Sequence, residues 1–250
     1  MILSKNKIKW IKSLEMKKHR RESGLFVAEG HKLVIDNLHT MSCHTLVATQ
    51  QWYEANPDAK APEMYVATSQ DLSKVSFLKT AQEVMAIFDM PKYELNADSL
   101  SGKLTIALDT VQDPGNLGTI IRLADWFGIE DIVCSMETAD CFAPKTVQAT
   151  MGAIARVRVH YTNLVDFFDS LPPMPIYGTF LEGDNIYNKD LSSDGVIVMG
   201  NEGKGISAEV ETKVNAKLHI PNYPSDRPTS ESLNVAIATS IICAEFRRRS

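Results

Sequence analysis

The sequence predicts an α/β protein: a small N-terminal α/β domain followed by a larger, mostly parallel α/β domain. Three observations carry that prediction. From residue 103 onward, Val/Ile-rich runs alternate with helix-like stretches, the pattern of a sheet wound with crossover helices. Those runs are apolar throughout rather than alternating, as in strands covered on both faces. A polar, turn-rich stretch, PKYELNADSLSG at 91–102, sets them apart from an earlier group of shorter elements. The expected division is 1–90, a linker at 91–102, and 103–250.

In the first section, residues 4–22 place Ile8, Ile11 and Leu14 near helical spacing with lysines between them, which predicts an amphipathic helix. GLFVAEG (24–30) reads as a short strand closed by Gly30, and HKLVIDNL as a helix after it. TLVAT (45–49), MYVAT (64–68) and EVMAIFDM (83–90) read as strands, with WYEAN a short helical stretch between the first two. In the second section the expected strands are 104–108, 131–134, 156–161, 176–181, 196–200 and 217–220. Helices are expected at 116–127, 145–154, 164–171 and 207–215, with a last one at roughly 231–248. No internal repeat stands out.

Composition excludes several classes. Of 250 residues, 44% are hydrophobic and 23% charged, ordinary globular values that rule out a disordered or collagen-like chain. No apolar run reaches the roughly 18 residues of a membrane span. The N-terminus is basic but lacks the apolar stretch of a secretory signal. Cys43, Cys134, Cys141 and Cys243 form no CxxC pair, as expected of reduced thiols in a cytoplasmic protein. The six histidines show no HExxH spacing and no acidic cluster has metal spacing, so no metal is expected. The net charge of −5 argues mildly against a general nucleic-acid binder. Its distribution is uneven, because Lys5, Lys7, Lys9, Lys12, Lys17, Lys18, Arg20 and Arg21 crowd the first 22 residues. Such a segment reads either as a local phosphate-binding surface or as a solvated helix face.

Three loops follow expected strands, where open α/β sheets bind ligands. In DTVQDPGNLGTIIRLADWFG (109–128), Pro114 and Gly115 turn the chain, Asn116 is placed to cap the next helix, and Arg122 follows two turns later. At the turn only Gly115 and Gly118 are present, so the GxGxxG dinucleotide fingerprint fails. VMGNEGKGIS (198–207) resembles a phosphate loop, but only Asn201 and Glu202 separate Gly200 from Gly203, and Walker A fails too. Its three glycines suggest backbone lying close to a ligand, with Glu202 displayed at the turn. In the third, a Pro-containing loop follows Ile220-Pro221, and Ser232-Leu233-Asn234 opens the last helix, where Ser and Asn also serve as ordinary caps. Taken singly, Arg122 and Glu202 have bland readings as well, as surface residues.

Taken together and in this order, the three segments resemble the motifs of the SpoU/TrmH family of RNA ribose 2′-O-methyltransferases, in the SPOUT superfamily. DPGNLGTIIRLADWFG matches the first motif, VMGNEGKGI the second and IP…SLNVAIATSI the third, and the similarity covers 103–249. ESGLFVAEGHKLVIDNL (22–38) resembles the start of the RNA substrate-binding domain that often precedes it. The resemblance implies a deep trefoil knot whose loops form an S-adenosylmethionine pocket. Carried over, Gly200, Ile220 and Leu233 line that pocket largely through backbone groups, with Thr179 a further cofactor residue. Arg122 is the implied catalytic arginine, and Asn116, Glu202, Ser232 and Asn234 hold it, the ribose and the cofactor loops in place. A homodimer is implied, with Arg122 of one chain facing the cofactor held by the other.

The expected substrate is 23S-type rRNA, bound in part by the N-terminal lysines and arginines. The alternatives are a tRNA 2′-O-methyltransferase and a non-catalytic RNA-binding or ribosome-assembly factor. A nucleotide-binding oxidoreductase is disfavoured by the failed GxGxxG. One departure stands out: NYPSDRPTSE (222–231) is longer than the family's usual third-motif loop, with Asn222 where a Met is usual and no Gly.

Overall fold

The computed structural model describes residues 3–224, 230 and 232–248. The N-terminal basic segment forms two helices rather than the single one expected, α1 (Lys5–Ser13) and α2 (Lys17–Ser23). Between them, N–H groups of Leu14, Glu15 and Met16 bond three residues back, which tightens and ends α1. Arg20 stabilises the break by donating to the carbonyls of Leu14 (2.8 Å) and Glu15 (2.6 Å), acceptors that a helix end leaves without partners.

Strands β1 (Leu25–Glu29), β2 (Cys43–Ala48), β3 (Glu63–Val66) and β4 (Val84–Asp89) form a sheet of order β1-β4-β2-β3. In it β4 is antiparallel to both neighbours, while β2 and β3 are parallel. Strand alternation sorts the side chains into two cores. Phe26, Ala28, Leu46, Ala48, Ala86 and Phe88 face one, packed by α3 (His31–Leu38) and α4 (Gln50–Ala55). Leu25, Val27, Val47, Met85 and Ile87 face the other, packed by α1 and α5 (Ser69–Val75). Burial on both faces explains the unbroken apolar runs in the sequence.

The second sheet has six strands, all parallel: β5 (Leu104–Leu108), β6 (Asp131–Cys134), β7 (Arg158–Tyr161), β8 (Ile176–Asn185), β9 (Gly195–Met199) and β10 (Ala216–His219). Their order is β10-β8-β9-β5-β6-β7. The helices are α6 (Pro114–Trp126), α7 (Pro144–Thr150), α8 (Leu164–Asp169), α9 (Ala208–Glu211) and α10 (Val235–Arg248). Two compact units divide the chain, 1–92 with 140–156 and 93–139 with 157–250. Segment 140–156 clusters with the first unit, where Val147 and Phe142 pack into the core around Phe26.

Several boundaries differ from expectation. The expected 207–215 helix is the single turn α9, because Asn215 pairs with the start of β8 through both its N–H and its side chain. Strand β8 runs on to Asn185, and the last helix starts at Val235. Asn116 does not cap α6: Asp113 does, accepting Asn116 N–H at 2.8 Å, with Pro114 in the first turn where its missing N–H costs nothing.

Candidate active site

The parallel sheet winds outward in both directions from its centre, with β5 leading to β6 and β7 on one side and β9 to β10 on the other. The carboxyl ends of β5 and β9 are therefore a topological switch point, where loops diverge and leave a crevice. Leu108 and Met199 are register partners at those ends. The first-motif loop and the glycine-rich loop thus leave the sheet side by side.

A chain of side-chain hydrogen bonds joins these loops to the start of α10. Asn116 donates from Nδ2 to Glu202 Oε1 at 3.0 Å, and Asn234 donates from Nδ2 to Asn116 Oδ1 at 3.0 Å. Asn234 Oδ1 accepts from the N–H groups of Ala236 (3.0 Å) and Ile237 (3.3 Å), so it also caps α10. The capping and site readings of Asn234 hold together. Glu202 lies near the N–H groups of Gln112 and Asp113, each at 3.4 Å. Burial pushes its carboxyl up, but the Asn116 amide and the surrounding N–H groups outweigh burial and hold it below its ordinary value. The site therefore contains an ionised carboxylate with fixed orientation.

Gly200 is buried directly after β9, and a Cβ there would meet the Gly205 carbonyl carbon at 2.2 Å and Ile206 N at 2.3 Å. The close approach that excludes a side chain at Gly200 comes from the loop's own backbone. Thr179 donates its hydroxyl to Val198 O at 3.1 Å. It stands where β10 changes its partner on β8 from Gly178 to Asp184. Ile220 is half-buried after β10, whereas Leu233 is 49% exposed and Ser232 is exposed. Of the 222–231 loop, residues 225–229 and 231 lie outside the described residues.

Arg122 does not join the hydrogen-bonded chain. Six residues beyond Asn116, it sits about 120° around α6 from it at roughly 100° per residue. It is exposed and has no hydrogen-bond or ion-pair partner among the described residues. Thr119 and Trp126, three residues before and four after it, share its outward face, Trp126 at 82% exposure; on α10, Ile237 is 53% exposed.

The eight basic residues of the N-terminal segment divide sharply. Lys5, Lys9, Lys18 and Arg21 are exposed and Lys17 is half-buried. Lys7 pairs with Glu63 and lies over the Trp10 ring, and Lys12 donates to Ser76 O at 3.0 Å. Arg20 is 2% exposed and pairs with Asp140 at 2.5 Å. Arg20 is thus a structural cation and not part of a surface, a correction to the reading of all eight as one patch.

Asn201 escaped the sequence reading. It donates to Thr110 O at 2.8 Å and accepts from the N–H groups of Gly203 and Lys204, each at 3.0 Å. An Asn between glycines is a turn signal, and that signal was present. Among the described residues no cluster of His, Cys, Asp and Glu could hold a metal, and no helix is long and apolar enough to cross a membrane.

With this geometry in place, likeness to known proteins decides the family. The SpoU rRNA Methylase family pattern matches residues 103–244. The chain belongs to that family. It is accordingly an RNA methyltransferase by family membership, and residues 5–86 match the MRM3-like substrate binding domain. The 23S rRNA (guanosine(2553)-2′-O)-methyltransferase RlmP of Bacillus subtilis is 31% identical over 245 residues, 96% of each chain. A Porphyromonas gingivalis protein assigned to the TrmH family of RNA methyltransferases is 40% identical over the whole of both chains, with a TM-score of 0.89. An AdoMet-bound rRNA methyltransferase from Sinorhizobium meliloti is 34% identical over 99% of this chain and 97% of that one, with a TM-score of 0.86.

Proposed function

We propose that this SpoU-family enzyme methylates a ribose 2′-hydroxyl of 23S-type rRNA, with S-adenosylmethionine as donor. The observation that carries the reading is the Glu202–Asn116–Asn234 chain, which draws all three motifs to the carboxyl end of one parallel sheet. The choice of 23S rRNA rests on the likeness to RlmP. The residues present fit the donor, since exposed Leu233 and half-buried Ile220 offer apolar surface to an adenine. When bound, the sulfonium supplies an activated methyl and leaves as a neutral thioether. Gly200, Thr179, Ile220 and Leu233 are the residues we assign to its pocket, and Ser232 supports the third loop.

For a 2′-oxygen to take up the methyl, its hydroxyl proton must leave. Alignment supplies much of the acceleration, because the leaving group is already good. Arg122 orients a phosphate or the ribose oxygen and stabilises the growing negative charge. A guanidinium is a poor base, so the part of Arg122 is to orient and stabilise charge, and the hydroxyl proton leaves to another acceptor. Glu202, Asn116 and Asn234 hold the loops around that geometry.

The same reading includes a deep trefoil knot in the C-terminal domain and a cytoplasmic homodimer. Exposed Trp126, Ile237 and Leu233 give a second copy an apolar surface to cover, and Arg122, turned away from Glu202, would serve the partner's site. We assign 1–90 to RNA binding, 91–102 to a linker and 103–250 to methyl transfer. Calorimetric titration with S-adenosylhomocysteine tests the reading, and saturable binding at one site per chain is expected. Binding of NAD with none of S-adenosylhomocysteine would replace it with an oxidoreductase. Sedimentation should show a dimer that Trp126→Asp dissociates, and a monomeric wild type would sink the shared-site model of Arg122.

A further inference from the structure

We infer that Asp109 is a positioning residue that holds the Glu202 loop in its binding geometry. Asp109 directly follows β5 and is 4% exposed. Its N–H extends the strand ladder to Met199 O at 2.9 Å. Its Oδ2 accepts Ser207 N–H at 2.7 Å, at the exit of the loop, and its Oδ1 accepts the Thr110 hydroxyl at 3.1 Å. Thr110 has φ of +60°, a left-handed conformation that a β-branched residue rarely adopts. That conformation is held by its N–H to Ser135 Oγ at 3.0 Å as well as by Asp109. The Thr110 carbonyl accepts from Asn201 Nδ2 at 2.8 Å, at the entry of the same loop.

The dipeptide 109–110 therefore grips the loop at both ends, with Glu202 between the grips. Strained backbone of this kind persists only where surrounding bonds over-determine it, and it gathers at binding sites. Among the described residues Asp109 has no ion-pair partner; its carboxylate is held by neutral donors alone. An amide oxygen in the same place accepts the same Ser207 N–H, so the positioning role needs an acceptor and not a charge. This deepens the methyltransferase reading, on which only its effect on cofactor binding depends.

The test compares wild type, Asp109→Ala and Asp109→Asn by hydrogen exchange of the ligand-free proteins and by calorimetry with S-adenosylhomocysteine. In Asp109→Ala, exchange at 201–207 should rise by about tenfold or more while β1–β4 stays unchanged, and binding should weaken by about tenfold. The loss should enter KM for the methyl donor more than kcat. Asp109→Asn should stay within about threefold of wild type in both readouts. Asn201→Ala, which releases only the entry grip, should raise exchange in the same segment and keeps the test alive if Asp109→Ala does not fold. Unchanged exchange in Asp109→Ala would overturn the proposal, as would an Asp109→Asn variant as impaired as Asp109→Ala. Failure of wild type to bind S-adenosylhomocysteine would sink the methyltransferase reading, with the exchange arm still deciding the role of Asp109.

Discussion

The side-chain amide of Asn234 donates to Asn116 Oδ1 at 3.0 Å, linking residues 118 positions apart in the chain. This bond fixes the polarity of the whole relay. An ionised Glu202 can only accept, so Asn116 must turn its NH2 to Glu202 and its oxygen to Asn234. Asn234 then turns its own oxygen to the N–H groups that open α10. Asn116→Ala leaves both neighbours without their partner. A hydrogen bond to a charged group contributes about 1.5–3 kcal/mol, so kcat/KM should fall by about tenfold to a hundredfold. Glu202→Gln keeps an acceptor oxygen and should lose less than Glu202→Ala. Steady-state kinetics of the three variants checks the order.

Arg122 has no protein partner among the described residues, so its replacement should leave thermal stability unchanged. Arg122→Lys keeps the charge but not the planar fork that matches a phosphate. Both Arg122→Lys and Arg122→Ala should lower kcat by at least about tenfold, with little change in cofactor affinity. An Arg122→Lys enzyme of near-full activity would show that bidentate recognition is not needed.

Mutations in the N-terminal segment should separate into two outcomes. Replacing exposed Lys5, Lys9, Lys18 or Arg21 with Ala should preserve folding and weaken RNA binding. For each RNA phosphate that is no longer neutralised, the slope of log affinity against log salt should fall by about 1. Arg20→Ala should instead destabilise the protein by about 3 kcal/mol or more, because it strips a buried partner from Asp140 and two carbonyls of their donor. Chemical denaturation alongside salt-dependent filter binding distinguishes the two.

Acid stability should depend on Asp131. Burial pushes its carboxyl up, but hydrogen bonds from His160 at 3.0 Å and Arg158 at 2.7 and 2.6 Å, with the Arg158 charge, hold it well below the ordinary carboxylate range. Its contribution is therefore complete above an unfolded pKa of about 3.9 and is lost as pH falls toward the folded value. Asp131→Asn should cost about 3 kcal/mol near neutral pH. The gap from wild type should narrow below about pH 4, and a pH series of urea titrations measures it. A gap constant down to about pH 2 would contradict this assignment.

Most of the fold was legible because unbroken apolar runs and helical spacing are local patterns. The apolar runs at 104–108 and 196–200 could be read as buried parallel strands, and they lie side by side at the sheet centre. The site residues Asn116, Glu202 and Asn234 were legible through the joint order of three motifs, although each alone has a bland reading. The cap of α6 was misplaced by three residues, yet Pro114 in the first turn already points to Asp113. Arg20 was not legible, since its partner Asp140 lies 120 residues away and a basic run looks the same whether solvated or buried. The grouping of 140–156 with the first unit was hidden for the same reason: Phe142 meets Phe26 through tertiary packing that no local pattern encodes.

The central claim is most directly tested with radiolabelled S-adenosylmethionine and total RNA from a strain lacking this protein, with Arg122→Ala as control. After size fractionation and digestion to nucleosides, label should appear in a 2′-O-methyl nucleoside of 23S rRNA and vanish in the control. Label confined to tRNA, or retained by Arg122→Ala, would contradict the account, and so would label on a base rather than a ribose.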